Sequence, residues 1–341
     1  MPYPHRFSVA PMMDWTTSTC RQFHRLFTSN ALLYTEMVTT GAIIHGGAER
    51  FLRYDDSEHP LALQLGGSDA KELGHCAKLA NDWGYDEVNL NAGCPSDRVQ
   101  NGMIGAILMG HSRLVADAIA AMRDASDVPV TIKHRLGIDD LDSYEFLRDF
   151  VGTVAEAGCN TFIVHARKAI LKGLSPKENR DIPPLDYQRV KRLKQEMPHL
   201  NIILNGGLKD HQHCLSLLAD GIDGVMMGRE AYQNPWLLQQ VDALYYDRKP
   251  PVSEQAELVD RYLQWIQQGC RSGTPLKHLA RHGLGLFQGQ PGAKRYRRLL
   301  SEGMHHSEAG PELMQLALSQ ISLRQGNDES PNLLTESITT A

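Results

Sequence analysis

From residue 7 to about residue 246, short apolar runs alternate with longer stretches whose apolar side chains recur every three or four positions. The short runs are FSVAPMM (7–13), ALLYTEM (31–37), LALQLGG (61–67), EVNLNAG (87–93), VPVTIKH (128–134), TFIVHAR (161–167), NIILNGG (201–207) and GVMMGRE (224–230). Their Val, Ile and Leu content predicts eight strands. The stretches Ala70 to Trp83, Leu114 to Ala125, Tyr144 to Ala157 and Tyr187 to Met197 predict helices between them. Strictly alternating strands and helices give a parallel sheet covered by helices. Eight such units in about 240 residues fit an α/β fold closed into a TIM (β/α)8 barrel, over residues 1–246. No GxGxxG follows the first strand, so the open dinucleotide-binding sheet lacks its fingerprint.

After Tyr246 the segment DRKPPVS breaks the pattern with two prolines and reads as a linker. Helical spacing returns near 253–272, 276–286, 291–301 and 307–323, with Pro291 near the start of the third helix and Ser307 placed to cap the fourth. A small all-helical domain over 247–323 is expected, followed by a polar tail, 324–341, expected to be mobile.

In a barrel of this kind the reactive groups sit at the C-terminal ends of the strands and converge on one mouth. Period-two alternation puts Asn89 and Asn91 on one face, and likewise Thr131 with Lys133, Ile163 with His165, and Ile203 with Asn205.

Composition is that of a globular chain: 341 residues, 42% hydrophobic and 22% charged. No run reaches the roughly 18 apolar residues of a membrane span, and the start MPYPHRFSVAPMM lacks a secretory layout. The six cysteines include no CxxC pair, so free thiols in a reducing, cytoplasmic compartment are expected. The net charge of -5 hides segregation. Residues 165–194 carry nine Lys and Arg against three acids, and residues 271–300 carry seven against none. Two strongly basic windows on an otherwise acidic chain are the footprint of a polyanion-binding face, or of two solvated helix faces.

Cys94 follows the fourth run directly, between Gly93 and Pro95, in polar surroundings unlike those of an inert core thiol, and is a candidate proton donor or nucleophile. Lys133 and His165 end the fifth and sixth runs. A lysine inside a barrel needs an anionic partner, either a ligand or a carboxylate such as Glu36. The seventh and eighth runs end in small residues and an arginine. Gly206, Gly207, Gly228 and Arg229 meet the requirements of a phosphate site. With Lys133 and the apolar Pro11-Met12-Met13 loop they suggest flavin mononucleotide (FMN), its ring on residues 11–13. The pairs His211/His213 and His305/His306 lack the companions of a zinc site and read as surface residues, so no metal is expected.

The strings VAPMMDWT, NLNAGCPSDRVQNG, HARKAILKGLSPKENRDIPPLDY, MGREAYQNPW and FQGQPGAKRYRRLLSEG together resemble tRNA-dihydrouridine synthases, and within them the A subfamily acting on uridines 20 and 20a of the D-loop. The resemblance covers roughly residues 5–305. It implies an FMN-containing barrel, a helical tRNA-binding domain and NADPH as electron source. FMN contacts would be Pro11, Met12, Met13, Gln64, Lys133, His165, Asn205, Gly207, Gly228 and Arg229. Hydride would pass from reduced FMN to uracil C6 and a proton from Cys94 to C5. tRNA contacts would be Asn91, Lys177, Arg180, Arg295 and Arg298, with Lys294 and Arg297 as alternatives to the last two. Thr17 stands where the resemblance more often has an acid, and Met103-Ile104 where it has a more aromatic pair. A monomer is the expected state. The rival classes are a flavin barrel reductase acting on a free pyrimidine or other small molecule, which leaves the basic helical segment without a purpose, and a tRNA-binding protein with a vestigial flavin site.

Overall fold

The computed structural model describes residues 4–97 and 102–321. Residues 98–101 of the string NLNAGCPSDRVQNG, and the expected tail, lie outside the described residues. Among the described residues nine strands form: β1 (Phe7–Val9), β2 (Leu33–Tyr34), β3 (Val38–Thr39), β4 (Leu61–Gly66), β5 (Glu87–Ala92), β6 (Val130–Arg135), β7 (Thr161–His165), β8 (Asn201–Asn205) and β9 (Gly224–Met227). All pair in parallel, in the order β1-β9-β8-β7-β6-β5-β4-β2. A parallel bridge from Ser8 to Leu32 closes the ring, with Val9 N–H on the Leu32 carbonyl at 3.0 Å.

The expected second strand is split. Both β2 and β3 pair with β4, and the chain leaves the ladder between them. The Thr35 hydroxyl donates to the Glu36 carbonyl at 2.8 Å and accepts the Gln64 N–H at 3.0 Å, so a side chain replaces a backbone link there. An apolar run of seven residues gives no warning of this.

The covering helices begin where capping residues stand. Asp69 accepts from the N–H groups of Lys71 and Glu72 to start Ala70–Asp82, Ser143 accepts from Phe146 to start Tyr144–Glu156, and Asp186 accepts from Arg189 to start Tyr187–Glu196. Their apolar faces and the outward faces of the strands form the main core. The barrel interior holds a separate apolar cluster of Ala10, Leu32, Tyr34, Ala62, Ile163, Ile203 and Met226. Beside it, β4, β5 and β6 turn buried polar residues inward: Gln64, Glu87, Asn89, Asn91 and Thr131.

Beyond the barrel lie the helices Gln255–Arg271, Leu276–Ala280, Ala293–Gly303 and Pro311–Leu318. The second is shorter than expected and passes into a 3-10 turn at Arg281–Gly283. Ser307 does not cap the last one. That helix starts at Pro311, whose fixed φ suits the first helical position, with Gly310 before it. These helices dock on the first βα unit. Trp265 Nε1 donates to Gln22 Oε1 at 3.2 Å, and Arg281 donates to the Asp14 carbonyl at 2.7 Å.

Candidate active site

Strand register brings the sequence-predicted mouth residues side by side. Asn91 pairs with Lys133, Arg135 with His165, His165 with Asn205, and Asn205 with Met226. Cys94 lies three residues beyond Asn91 on a loop held from both sides. Asn91 Oδ1 accepts the backbone N–H groups of Gly93 at 3.0 Å and Cys94 at 2.9 Å, while the Cys94 carbonyl accepts Ala106 N–H at 2.8 Å. Gly105 completes the clamp. It sits at φ +84°, and a Cβ there would lie 2.4 Å from the Cys94 carbonyl oxygen. All six cysteines are free, and Cys94 is half-buried whereas Cys20, Cys76, Cys159 and Cys214 are buried. Met103 and Ile104, which lead into the clamp, put Met103 at φ +53°.

Glu36 does not pair with Lys133. The Glu36 carboxylate accepts the Asp14 N–H at 2.5 Å and so pins the Pro11-Met12-Met13 loop instead. Among the described residues no carboxylate comes within ion-pair distance of Lys133. Burial, and then the neighbouring Arg135 charge, push its ammonium down to about 7. Burial, Arg135 and Lys133 together hold His165 well below the usual histidine range, so its ring is neutral. An anion entering this mouth meets a lysine whose protonation it would favour.

Gly206 and Gly207 have φ of +115° and +70°. A Cβ on the first would strike the His165 ring at 2.6 Å, and on the second Leu185 at 2.5 Å. Gly228 differs, since a Cβ there meets only Ala10 and Met12 at 3.7 and 4.0 Å, so its value is as an open approach to backbone. Asn205 is buried and donates from Nδ2 to the Met226 carbonyl at 2.8 Å. Arg229 reaches the same rim but is paired with Asp181 at 2.8 Å. On the opposite side Met12 N–H donates to Thr16 Oγ1 at 3.0 Å, closing a tight turn that leaves Met13 exposed and Pro11 half-buried. Thr17 is the N-cap of the helix Ser18–Arg25, a structural role that a hydroxyl fills. A half-buried lysine without a carboxylate partner, glycine backbone at two adjacent strand ends and an apolar loop opposite fit a phosphorylated, partly anionic ring cofactor.

Two residues missed in the sequence organise the loop after β7. Arg135, buried, donates to the carbonyls of Gly93 at 2.9 Å, Lys168 at 3.1 Å and Asn179 at 2.9 Å. Asn179, buried, accepts Ile170 N–H at 2.7 Å and donates to the Ile170 carbonyl at 2.8 Å. Between them they fold the segment that exposes Lys177 and Arg180. Nothing in the sequence sets Arg135 apart, since it follows Lys133 and His134 at the end of its strand.

The first basic window divides. On the helix Tyr187–Glu196, Lys191 pairs with Asp220, Arg192 with Glu196 and Lys194 with Asp223, which is the solvated helix face. Lys177 and Arg180, on the mouth side, have no carboxylate partner among the described residues. In the second window Ala293, Tyr296 and Leu300 bury one face of their helix and leave Lys294, Arg295, Arg297 and Arg298 exposed. Arg298 is tied to Glu302 at 2.9 Å. His211 is not at the surface: its ring bonds the Tyr245 hydroxyl at 2.9 Å and the Leu237 carbonyl at 2.7 Å. It opens the helix His211–Ala219 on the side facing the chain's return, a packing role.

A family profile described as "Dihydrouridine synthase (Dus)" matches residues 8–322. The tRNA-dihydrouridine(20/20a) synthase of Vibrio cholerae is 55% identical over 326 residues, covering 95% of this chain and 99% of the relative. That of Pseudomonas syringae pv. tomato is 60% identical over 303 residues, covering 89% and 90%. That of Escherichia coli K12 is 56% identical over 318 residues, covering 93% and 92%. Among solved structures, TcOYE with pHBA superposes with a TM-score of 0.53 at 11% identity, covering 72% of this chain and 92% of that one, a likeness of fold.

Proposed function

This chain belongs to the dihydrouridine synthase family, and from that premise we propose that it reduces the C5–C6 double bond of uridines 20 and 20a in the tRNA D-loop. The cofactor is FMN and the electron source NADPH. The observation that carries the reading is Cys94 on a backbone clamped by Asn91 and Ala106, one strand from a lysine without a carboxylate.

FMN, when bound, supplies the hydride to uracil C6. The residues that would hold it are Pro11, Met12 and Met13 under the ring, Gln64, Lys133 and His165 at its polar edge, and Asn205, Gly206, Gly207, Gly228 and Arg229 around the phosphate. Arg229 would exchange part of its pairing with Asp181 for the phosphate. Cys94 would give its Sγ proton to C5. Asn91 lies beside it to orient the base, since the two reacting carbons must be held in contact distance of donor and acid. The uridine must leave its loop to reach the mouth, at a cost of a few kcal/mol that the tRNA grip offsets. Lys177 and Arg180 from the β7 loop, and Arg295 and Arg298 from the appended helical tRNA-binding domain, 247–323, provide that grip. The protein acts as a cytoplasmic monomer. No helix among the described residues is long and apolar enough to cross a membrane.

The test is purified protein with FMN, NADPH and tRNA lacking dihydrouridine. The expected result is dihydrouridine in the tRNA. Activity confined to free uridine would replace this reading by the small-molecule reductase.

A further inference from the structure

Residues 87, 89 and 91 of β5 face the barrel interior together, and a one-way hydrogen-bond chain runs along them. At its base Glu87 is buried and, as a carboxylate, accepts only. Its Oε1 receives the hydroxyls of Tyr34 at 2.7 Å and Thr131 at 2.6 Å, and its Oε2 lies 2.6 Å from His5 Nε2. Thr131 has one proton, and it is given to Glu87. Its oxygen must therefore accept, and it receives Asn89 Nδ2 at 2.8 Å. That fixes the Asn89 amide with Oδ1 toward Gln64, whose Nε2 donates to it at 2.8 Å. Gln64 is then left with Oε1 toward Asn91, and receives Asn91 Nδ2 at 2.8 Å. Asn91 in turn has Oδ1 free for the N–H groups of Gly93 and Cys94.

We propose that Glu87, acting through Thr131, is a positioning residue for the reaction: it sets the polarity of three amides in series and so fixes the backbone of Cys94 at the far end of the strand. A chain of amides has two possible directions. Only the one anchored on an acceptor at the base presents an oxygen to the Cys94 loop; the reverse presents an N–H to two N–H groups and releases the loop. This deepens the role assigned to Cys94 above and rests on it.

The test compares Thr131→Val, which keeps the shape and removes the hydroxyl, with Thr131→Ser, which keeps the hydroxyl. Hydrogen exchange at the Gly93 and Cys94 amides is followed in the cofactor-free protein, beside melting curves and tRNA-dependent turnover. Thr131→Val is expected to speed exchange at these two amides by about tenfold or more and to lower turnover by a similar factor, while Thr131→Ser stays within about twofold of the parent. Glu87→Met frees the Thr131 proton to turn toward Asn89, and is expected to speed the same exchange even if the valine variant folds poorly. A folded Thr131→Val protein with parental exchange, or equal losses in Ser and Val, would overturn the proposal. If exchange behaves as expected but Cys94→Ala retains turnover, the thiol's role fails and the chain's hold on the loop stands.

Discussion

Arg135 donates one guanidinium hydrogen bond to the Gly93 carbonyl and another to the Asn179 carbonyl, each at 2.9 Å. It therefore ties the loop that carries Cys94 to the loop that carries Lys177 and Arg180. A buried cation satisfied by three carbonyls holds backbone in place without neutralising its charge, which remains as part of the positive field at the mouth.

Asn179→Ala is expected to free the β7 loop, because the Ile170 N–H and carbonyl lose their buried partner. A loss of about 1–3 kcal/mol in stability is predicted, with tRNA affinity reduced and flavin content preserved. Denaturant melts, filter binding and flavin absorbance check the three together. Parental tRNA affinity would show that the loop's shape does not matter to RNA.

Cys94→Ala is expected to keep its flavin and bind tRNA while turnover falls by about 10²–10⁴, the range of a general acid. Single-turnover reoxidation of the reduced enzyme by tRNA measures this directly. Reoxidation near the parental rate would remove the thiol from the mechanism.

Lys133 gives a pH prediction. Its folded value, about 7, lies below the unfolded lysine value, so the folded state holds its proton less tightly than the unfolded state. The cost to stability is fully present below the folded value and disappears as pH rises toward the unfolded one. Lys133→Met should therefore raise the melting temperature of the cofactor-free protein at pH 6, by about 2–4 °C for each kcal/mol regained. The gain should shrink steadily between pH 7 and pH 10. A gain independent of pH would show that desolvation of the ammonium is not its cause.

Arg295 and Arg298 should not be equivalent. Arg298 already pairs with Glu302, whereas Arg295 has no carboxylate partner among the described residues. Arg295→Ala is expected to lower the salt slope of tRNA binding by about one unit, and Arg298→Ala by less. Measuring affinity across a salt series distinguishes them, and equal slopes would move the RNA path along the helix toward Lys294 and Arg297.

Much of this arrangement was legible in the sequence because barrels place chemistry at strand ends, where runs such as NLNAGC and NGG stand out against apolar neighbours. Cys94, Lys133, His165 and the glycines are singled out that way, and register brings their strand ends together. Arg135 and Asn179 are not, since their partners are main-chain groups, from distant segments for Arg135 and from within its own loop for Asn179, and such bonds leave no spacing in the sequence. The same holds for Glu36, whose contact with Asp14 depends on the break between β2 and β3. His211 was misplaced for a related reason: its residue type suggests the surface, and only the packing of Tyr245 and Leu237 over its helix buries it.

The most direct measurement is to incubate the protein with FMN, NADPH and unmodified tRNA and to map dihydrouridine by mass spectrometry of nuclease fragments. Product at nucleotides 20 and 20a is the predicted result. Absence of dihydrouridine, from protein carrying bound and reducible FMN, would contradict it.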